Sequence, residues 1–239
     1  VYADVDGNIG FIAPGKVPVR KPENDLKGQA PAPGWDARYD WAGFIAFDEL
    51  PQSYNPPSGH IVTANHKIVP AGYAHFITSE WLPPYRAERI EELMAATPRH
   101  SAASFARIQA DARSLYVREI LPLLLKTGAS SGEGRATIES LRGWNGDMAI
   151  ERAEPLIVSA WLRELTRLVY ADELGDAFEG AWEHRGPFMV NVLADRGGAG
   201  RWCDNVNTPV KETCMQLLAQ SLELALADLK RRYGEDKSK

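Results

Sequence analysis

Two polar side chains in this chain, Asn65 and Arg86, sit where chemistry is worth looking for, and each follows a stretch that restricts the backbone. In NPPSGHIVTANHKIVP, residues 55–70, a Pro/Gly lead-in runs into His60, Ile61, Val62 and Thr63. Their branched side chains predict a pleated, half-buried strand, with Asn65 falling where pairing gives way to loop. A carboxamide there can face a cleft, although an Asn at a strand end commonly serves only as a turn former. Arg86 lies in WLPPYRAERI, on the first turn of a predicted helix reached through Pro83 and Pro84. Its guanidinium keeps its charge at any physiological pH. It therefore either pairs with a carboxylate such as Glu88 or Glu91, or sets the field of a nearby site.

The remaining chemistry-bearing residues read as structure. His60, His66, His75, His100 and His184 form no short metal-binding spacing. Ser58-Gly59 and Ser130-Ser131-Gly132 are turn sequences without the strand, elbow and helix that a GxSxG nucleophile requires. Asp4, Asp6 and Asn8 lack the Gly and terminal Glu of an EF-hand loop and predict a hairpin turn about Asp6-Gly7. Glu91-Glu92 and Asp172-Glu173 read as solvated helix faces. Cys203 and Cys214 flank DNVNTPVKET, whose turn formers can bring them together. Two unrelated thiols also fit, but the spacing is neither CxxC nor zinc-like, so a bridge is the favoured reading. Closing that loop adds roughly 3 kcal/mol in the chain-entropy picture and points to an oxidising compartment, periplasmic or secreted.

These residues need elements to hold them. With 239 residues, 44% hydrophobic and 25% charged, the chain can bury a real core as one large domain or two small ones. A net charge of -5 argues against nucleic acid or an anionic membrane as partner, and the apolar run around Ile120–Leu125, interrupted by Pro122, is far short of the roughly 20 residues of a span. Residues 1–20 predict a β-hairpin. Residues 21–57, rich in Pro and Gly, predict an ordered loop pinned by buried Trp35, Tyr39, Trp41, Phe44 and Phe47. Helical spacing predicts helices over 85–96, 101–126 with a break or kink at Pro122, 135–142, 155–185, and 209–233 with Thr208 as cap and Pro209 in the first turn. SSGEGR (130–135) and DRGGAGR (195–201) read as flexible connections, and the polar tail YGEDKSK as fraying.

Taken in order, GNIGFIAPG, PAPGWDARYDWAGFIAFDELP, the motif ending in Asn65, WLPPYRAERI, LRGWNGDM and the Cys-bearing segment resemble the penicillin acylase family of N-terminal-nucleophile hydrolases over essentially the whole span. The resemblance implies an α+β fold. Residues 1–80 would form part of an αββα core, and residues 81–239 a mainly helical lobe. Amide hydrolysis through an acyl-enzyme needs a nucleophile, a base, and donors aimed at the oxyanion. In the family the nucleophile's own α-amino group is the base and an Asn after the long strand donates to the oxyanion, a role that falls by motif position on Asn65.

Arg86 matches a family Arg close to the catalytic centre, where its charge would favour the neutral, proton-accepting amine. The structural pairing of Arg86 remains the other reading. Trp81 matches as a core residue, LRGWNGDM as a packing turn, and His66 is a departure from a second Asn. No cofactor is required for the chemistry. A structural calcium is a family feature, with Asp25, the Leu26 carbonyl and Glu80 as the candidates here; a gapless count puts His75 at the family carboxylate.

Val1 carries no nucleophilic atom, so the sequence reads as an interior piece of the large (β) chain, continuing at both ends and inactive alone. Its expected partners are a small-molecule amide and the remainder of the same precursor, the small α chain and the rest of the β chain. Substrates in the family include β-lactam side-chain amides and N-acyl homoserine lactones. The competing reading is a non-catalytic binding or scaffolding module that keeps the architecture.

Overall fold

The computed structural model describes residues 1–181 and 183–234, so residues 235–239 of the polar tail lie outside the described residues. Contacts divide the chain into two units, Val1–Glu91 and Glu92–Lys239. The class is α+β: short strands lie in the first unit, and helices dominate from Tyr85 onward.

The first unit carries the strands β1 (Tyr2–Ala3), β2 (Ile9–Ile12), β3 (Pro18–Arg20), β4 (Trp41–Phe44) and β5 (Gln52–Tyr54). Strands β1, β2 and β5 form an antiparallel sheet in that order, while β3 and β4 form a separate pair. The hairpin turn closes as the sequence predicts. Asp4 Oδ1 accepts from the N–H groups of Asp6 (3.0 Å) and Asn8 (2.9 Å), and Gly7 takes a φ of 86° that a side chain would oppose. The Asn8 amide bonded to Asp4, with these backbone donors, holds its carboxyl below the usual range.

Two expectations fail in this unit. His60–Thr63 is not a strand, because no strand among the described residues pairs with it. Branched residues favour an extended backbone, but only ladder bonds make a strand. The 21–57 loop is ordered, yet four of its five rings do not pin it: Trp35 is 90% exposed, Phe47 70% and Trp41 60%, with Phe44 exposed as well, and only Tyr39 is half-buried. Aliphatic Ile45 and Leu50 are buried instead, and backbone bonds such as Ile45 N–H to Val17 O (2.9 Å) hold the segment.

Helix α1 (Tyr85–Ala95) follows the prolines as predicted. In the second unit the 101–126 stretch is two helices, α2 (Ala102–Gln109) and α3 (Leu115–Leu124). The break falls at 110–114, not at Pro122, which α3 accommodates near its end. Ser114 caps α3 through Val117 N–H (3.2 Å), and its own N–H donates to Gly146 O (2.9 Å) while Met148 N–H donates to Ala112 O (3.1 Å). The NGD turn thus takes the backbone groups that a continuous helix would have used. Gly146, at a φ of 81°, lies so close that a Cβ would stand 3.0 Å from Ser114 O.

SSGEGR proves to be a helix start. Ser131 accepts from Gly134 N–H (2.8 Å) to cap α4 (Gly132–Leu141), and Glu223 accepts from Ser131 N–H (3.0 Å). The predicted 155–185 helix ends early, as α5 (Glu154–Leu174), at Gly175 with its φ of 52°. A 3-10 turn leads to α6 (Phe178–Ala181), and α7 (Gly186–Leu193) was not anticipated, although Pro187 in its first turn and the run FMVNVL are the signals for it. DRGGAGR is ordered rather than a flexible link: 3-10 turns run from Arg196 to Cys203 and are kinked at Gly197 and Gly198, whose φ values are 62° and 75°. The last helix, α8 (Cys214–Tyr233), starts after Thr213, not Thr208. Thr213 and Gln216 form a reciprocal capping box, which satisfies two end donors where Thr208 would satisfy one.

Helices α5 and α8 pack around fully buried Trp161, Leu165, Leu218 and Leu222. Trp161 Nε1 donates to Leu218 O (3.1 Å) and Ser221 Oγ (3.0 Å), which satisfies its polar edge inside that core. Cys203 and Cys214 are joined by a disulfide across a separation of 11 residues, tying the 3-10 segment to the start of α8.

Candidate functional site

Asn65 is exposed and takes a left-handed φ of 61°, a conformation that Asn tolerates better than most residues. Its backbone O accepts from Leu82 N–H (3.0 Å). Arg86 Nη2 donates to Asn65 Oδ1 (2.8 Å) and to Ala64 O (2.9 Å). A guanidinium has donors only, so it selects the oxygen side of the carboxamide and leaves the two Nδ2 hydrogens turned the other way. Those hydrogens have no acceptor among the described residues. A positive charge on the oxygen also polarises the amide and strengthens its N–H as a donor. Arg86 makes no ion pair among the described residues, so the pairing with Glu88 or Glu91 is absent there.

Glu91 is engaged elsewhere. Its Oε2 lies 2.5 Å from His60 Nε2, while His60 Nδ1 lies 3.0 Å from Ser58 O. The hydrogen bond to Glu91 raises the His60 pKa above its ordinary value, against the opposing pull of partial burial. Helix α1 therefore holds the 58–65 segment at two points, with Glu91 holding His60 and Arg86 holding Ala64 and Asn65. Ala87, next to Arg86 on the helix, is buried. The sequence reading missed the Glu91 contact, and the only signal for it was an acid five places after Arg86, roughly 7.5 Å further along a helix. Nor is Glu92 purely solvated, since it lies 3.4 Å from Arg118. His66 Nδ1 is buried without a hydrogen-bond partner.

Asp25 and Glu80 are exposed. The Leu26 carbonyl accepts from Gln29 N–H (2.9 Å), and a Gln29–Ser79 side-chain bond brings the two candidate segments together. Among the described residues no group of three or more His, Cys, Asp or Glu could hold a metal ion. The cleft beside them is lined by Arg20, Lys21, Lys27 and His75, which oppose a cation.

One Ser–His contact escaped the sequence reading: His100 Nδ1 lies 3.2 Å from Ser104 Oγ. It is structural. Ser104 is buried, its hydroxyl donates to Ser101 O (2.9 Å) and accepts from Ser101 N–H (2.8 Å), and these bonds make the cap of α2. No helix among the described residues is long and apolar enough to cross a membrane.

The α+β fold of this chain has a counterpart among solved structures. The thermostable penicillin G acylase of Alcaligenes faecalis matches with a TM-score of 0.73 at 20% identity, over 100% of this chain and 47% of that one, and so shares the fold. The sequence profile described as penicillin amidase matches residues 1–239, and the chain belongs to that family of amidohydrolases. It is 30% identical to the acyl-homoserine lactone acylase QuiP of Pseudomonas aeruginosa over 99% of this chain and 30% of the relative. It is 36% identical to the penicillin acylase 2 proenzyme of a Pseudomonas species over 72% of this chain and 22% of that protein. The chain thus spans under a third of the length of these curated relatives.

Proposed function

We propose that this chain supplies the oxyanion-binding amide of an enzyme that cleaves linear amides through an acyl-enzyme. The reading rests on one observation, the 2.8 Å bond from Arg86 Nη2 to Asn65 Oδ1, which orients the Nδ2 donors outward. A nucleophile at the N-terminus of another segment attacks the substrate carbonyl, and its own α-amino group takes the proton. Asn65 Nδ2–H donates to the oxyanion, the amine departs with a proton, and water hydrolyses the ester or thioester that remains. Arg86 orients Asn65, and its charge near the catalytic amine would favour the neutral base.

The relatives' names support two amide classes as substrates, penicillin side-chain amides and N-acyl homoserine lactones. The proenzyme among them supports a partner in the rest of a processed precursor. The Cys203–Cys214 bridge favours a periplasmic or secreted setting. By itself this chain should turn over no amide, because none of its serines among the described residues has an oriented base.

The test is Asn65→Ala in the full-length enzyme. Loss of one oxyanion donor costs kcat about 100- to 1,000-fold with KM little changed. An unaltered kcat in a folded variant overturns the assignment.

A further inference from the structure

A second site in the first unit is independent of the amide chemistry. We propose that the cleft between β3 and the 74–76 segment binds a small, doubly charged anion, a dicarboxylate or phosphate, between Arg20 and Lys27. The cleft holds about 250 Å³ and is lined by Arg20, Lys21, Lys27, His75 and Phe76 among others.

The charge balance is uneven. Lys21 donates to Ala37 O (2.6 Å) and lies 3.9 Å from Asp40, and His75 Nε2 lies 3.2 Å from Glu49 Oε2. Arg20 and Lys27 have no carboxylate partner among the described residues. Both instead converge on one ring. The Arg20 guanidinium carbon is 5.7 Å and Lys27 Nζ 5.3 Å from the centre of Phe76. A single exposed ring offers each cation little, and two like charges drawn to it repel one another. An anion between them removes that repulsion.

The backbone is shaped to hold the two cations there. The β3–β4 register shifts between Val19 and Arg20, an irregularity of the kind that re-aims a side chain. Arg20 lies against Gly28, where a Cβ would meet its Nη2 at 2.8 Å, and Gly28 itself takes a φ of 81° that favours glycine. Lys27 is held at a left-handed φ of 48°, and its N–H donates to Oδ1 (2.7 Å) of Asn24, itself only 4% exposed. Strain of this kind in a long-chain residue clusters at ligand sites.

The experiment is an NMR titration of the purified protein, following the His75 and Phe76 ring resonances with succinate, inorganic phosphate and neutral succinamide. Succinate and phosphate should shift them saturably, with Kd on the order of 1 mM, and succinamide should not. Arg20→Gln combined with Lys27→Gln should weaken binding by about tenfold or more, while Arg20→Lys with Lys27→Arg keeps it. If the uncharged pair fails to fold, salt decides: raising NaCl to about 0.5 M should weaken succinate binding by about tenfold in the unaltered protein. Equal shifts from succinamide, no saturation, salt-independent binding, or calcium competing for the same resonances would each overturn the proposal.

Discussion

Replacing Arg86 by Met tests how the amide is oriented. The change removes the 2.8 Å bond to Asn65 Oδ1 and the 2.9 Å bond to Ala64 O while keeping the aliphatic stem. Hydrogen bonds to a charged group contribute about 1.5–3 kcal/mol, and the exposure of Arg86 puts the Asn65 bond at the lower end, about 1.5 kcal/mol. Without it the carboxamide turns freely about its last torsion, and its donors point at the oxyanion only part of the time. Because 1.4 kcal/mol is about tenfold, kcat of the full-length enzyme on a chromogenic amide should fall about tenfold at little-changed KM. Asn65→Ala should cost about 2.7–4 kcal/mol. The decisive variant is the double one. If Arg86 works through Asn65, the pair costs no more than Asn65→Ala alone, a coupling of about 1.5 kcal/mol. Simple addition of the two losses would refute that reasoning. A shift of the acid limb of the pH profile to higher pH, persisting without Asn65, would assign Arg86 to the catalytic amine instead.

Other consequences are structural. Gly146→Ala places a side chain at a φ of 81° and 3.0 Å from Ser114 O, so it should destabilise by about 2 kcal/mol and lower Tm by roughly 4–8 °C, whereas Gly143→Ala, with open space around it, should leave Tm near its starting value. His184 Nδ1 lies 2.9 Å from Thr166 Oγ1, which already donates to Leu162 O, and His184 Nε2 lies 2.8 Å from the Tyr116 hydroxyl. Burial lowers its pKa below the ordinary 6.5, so the unfolded chain binds more protons. Its stability contribution is full above pH 6.5 and declines as pH falls below that, and thermal melts of His184→Gln should lose this component of the slope. An unchanged slope counts against it. His60 works in the opposite sense: Glu91 raises its pKa, so its contribution is present below pH 6.5 and is lost as pH rises past the folded value.

Much of the second unit was legible because its signals are local. Ala87, Ile90 and Met94 recur at helical spacing, and α1 forms over Tyr85–Ala95. The α8 register of Leu217, Leu218, Leu222 and Leu226 is likewise that of a helix with one buried face. Where two local signals competed, periodicity alone could not choose: Thr213 outdid Thr208 because Gln216 completes its cap, and Ser114 broke a continuous apolar pattern because Gly146 offered its N–H an acceptor. The disulfide needed only the right loop length and turn formers, both visible in the sequence.

In the first unit the residues determined less. They set the hairpin at Asp6-Gly7 and the proline-guided start of α1. Tertiary structure decided that His60–Thr63 stays unpaired, that Trp35, Trp41, Phe44 and Phe47 are exposed while Tyr39 is half-buried, and that Arg86 reaches Asn65 across 21 positions of sequence. Strand pairing and charge-assisted hydrogen bonds depend on which group lies opposite. A one-dimensional pattern records what a residue prefers, and its opposite number exists only once the chain has folded back.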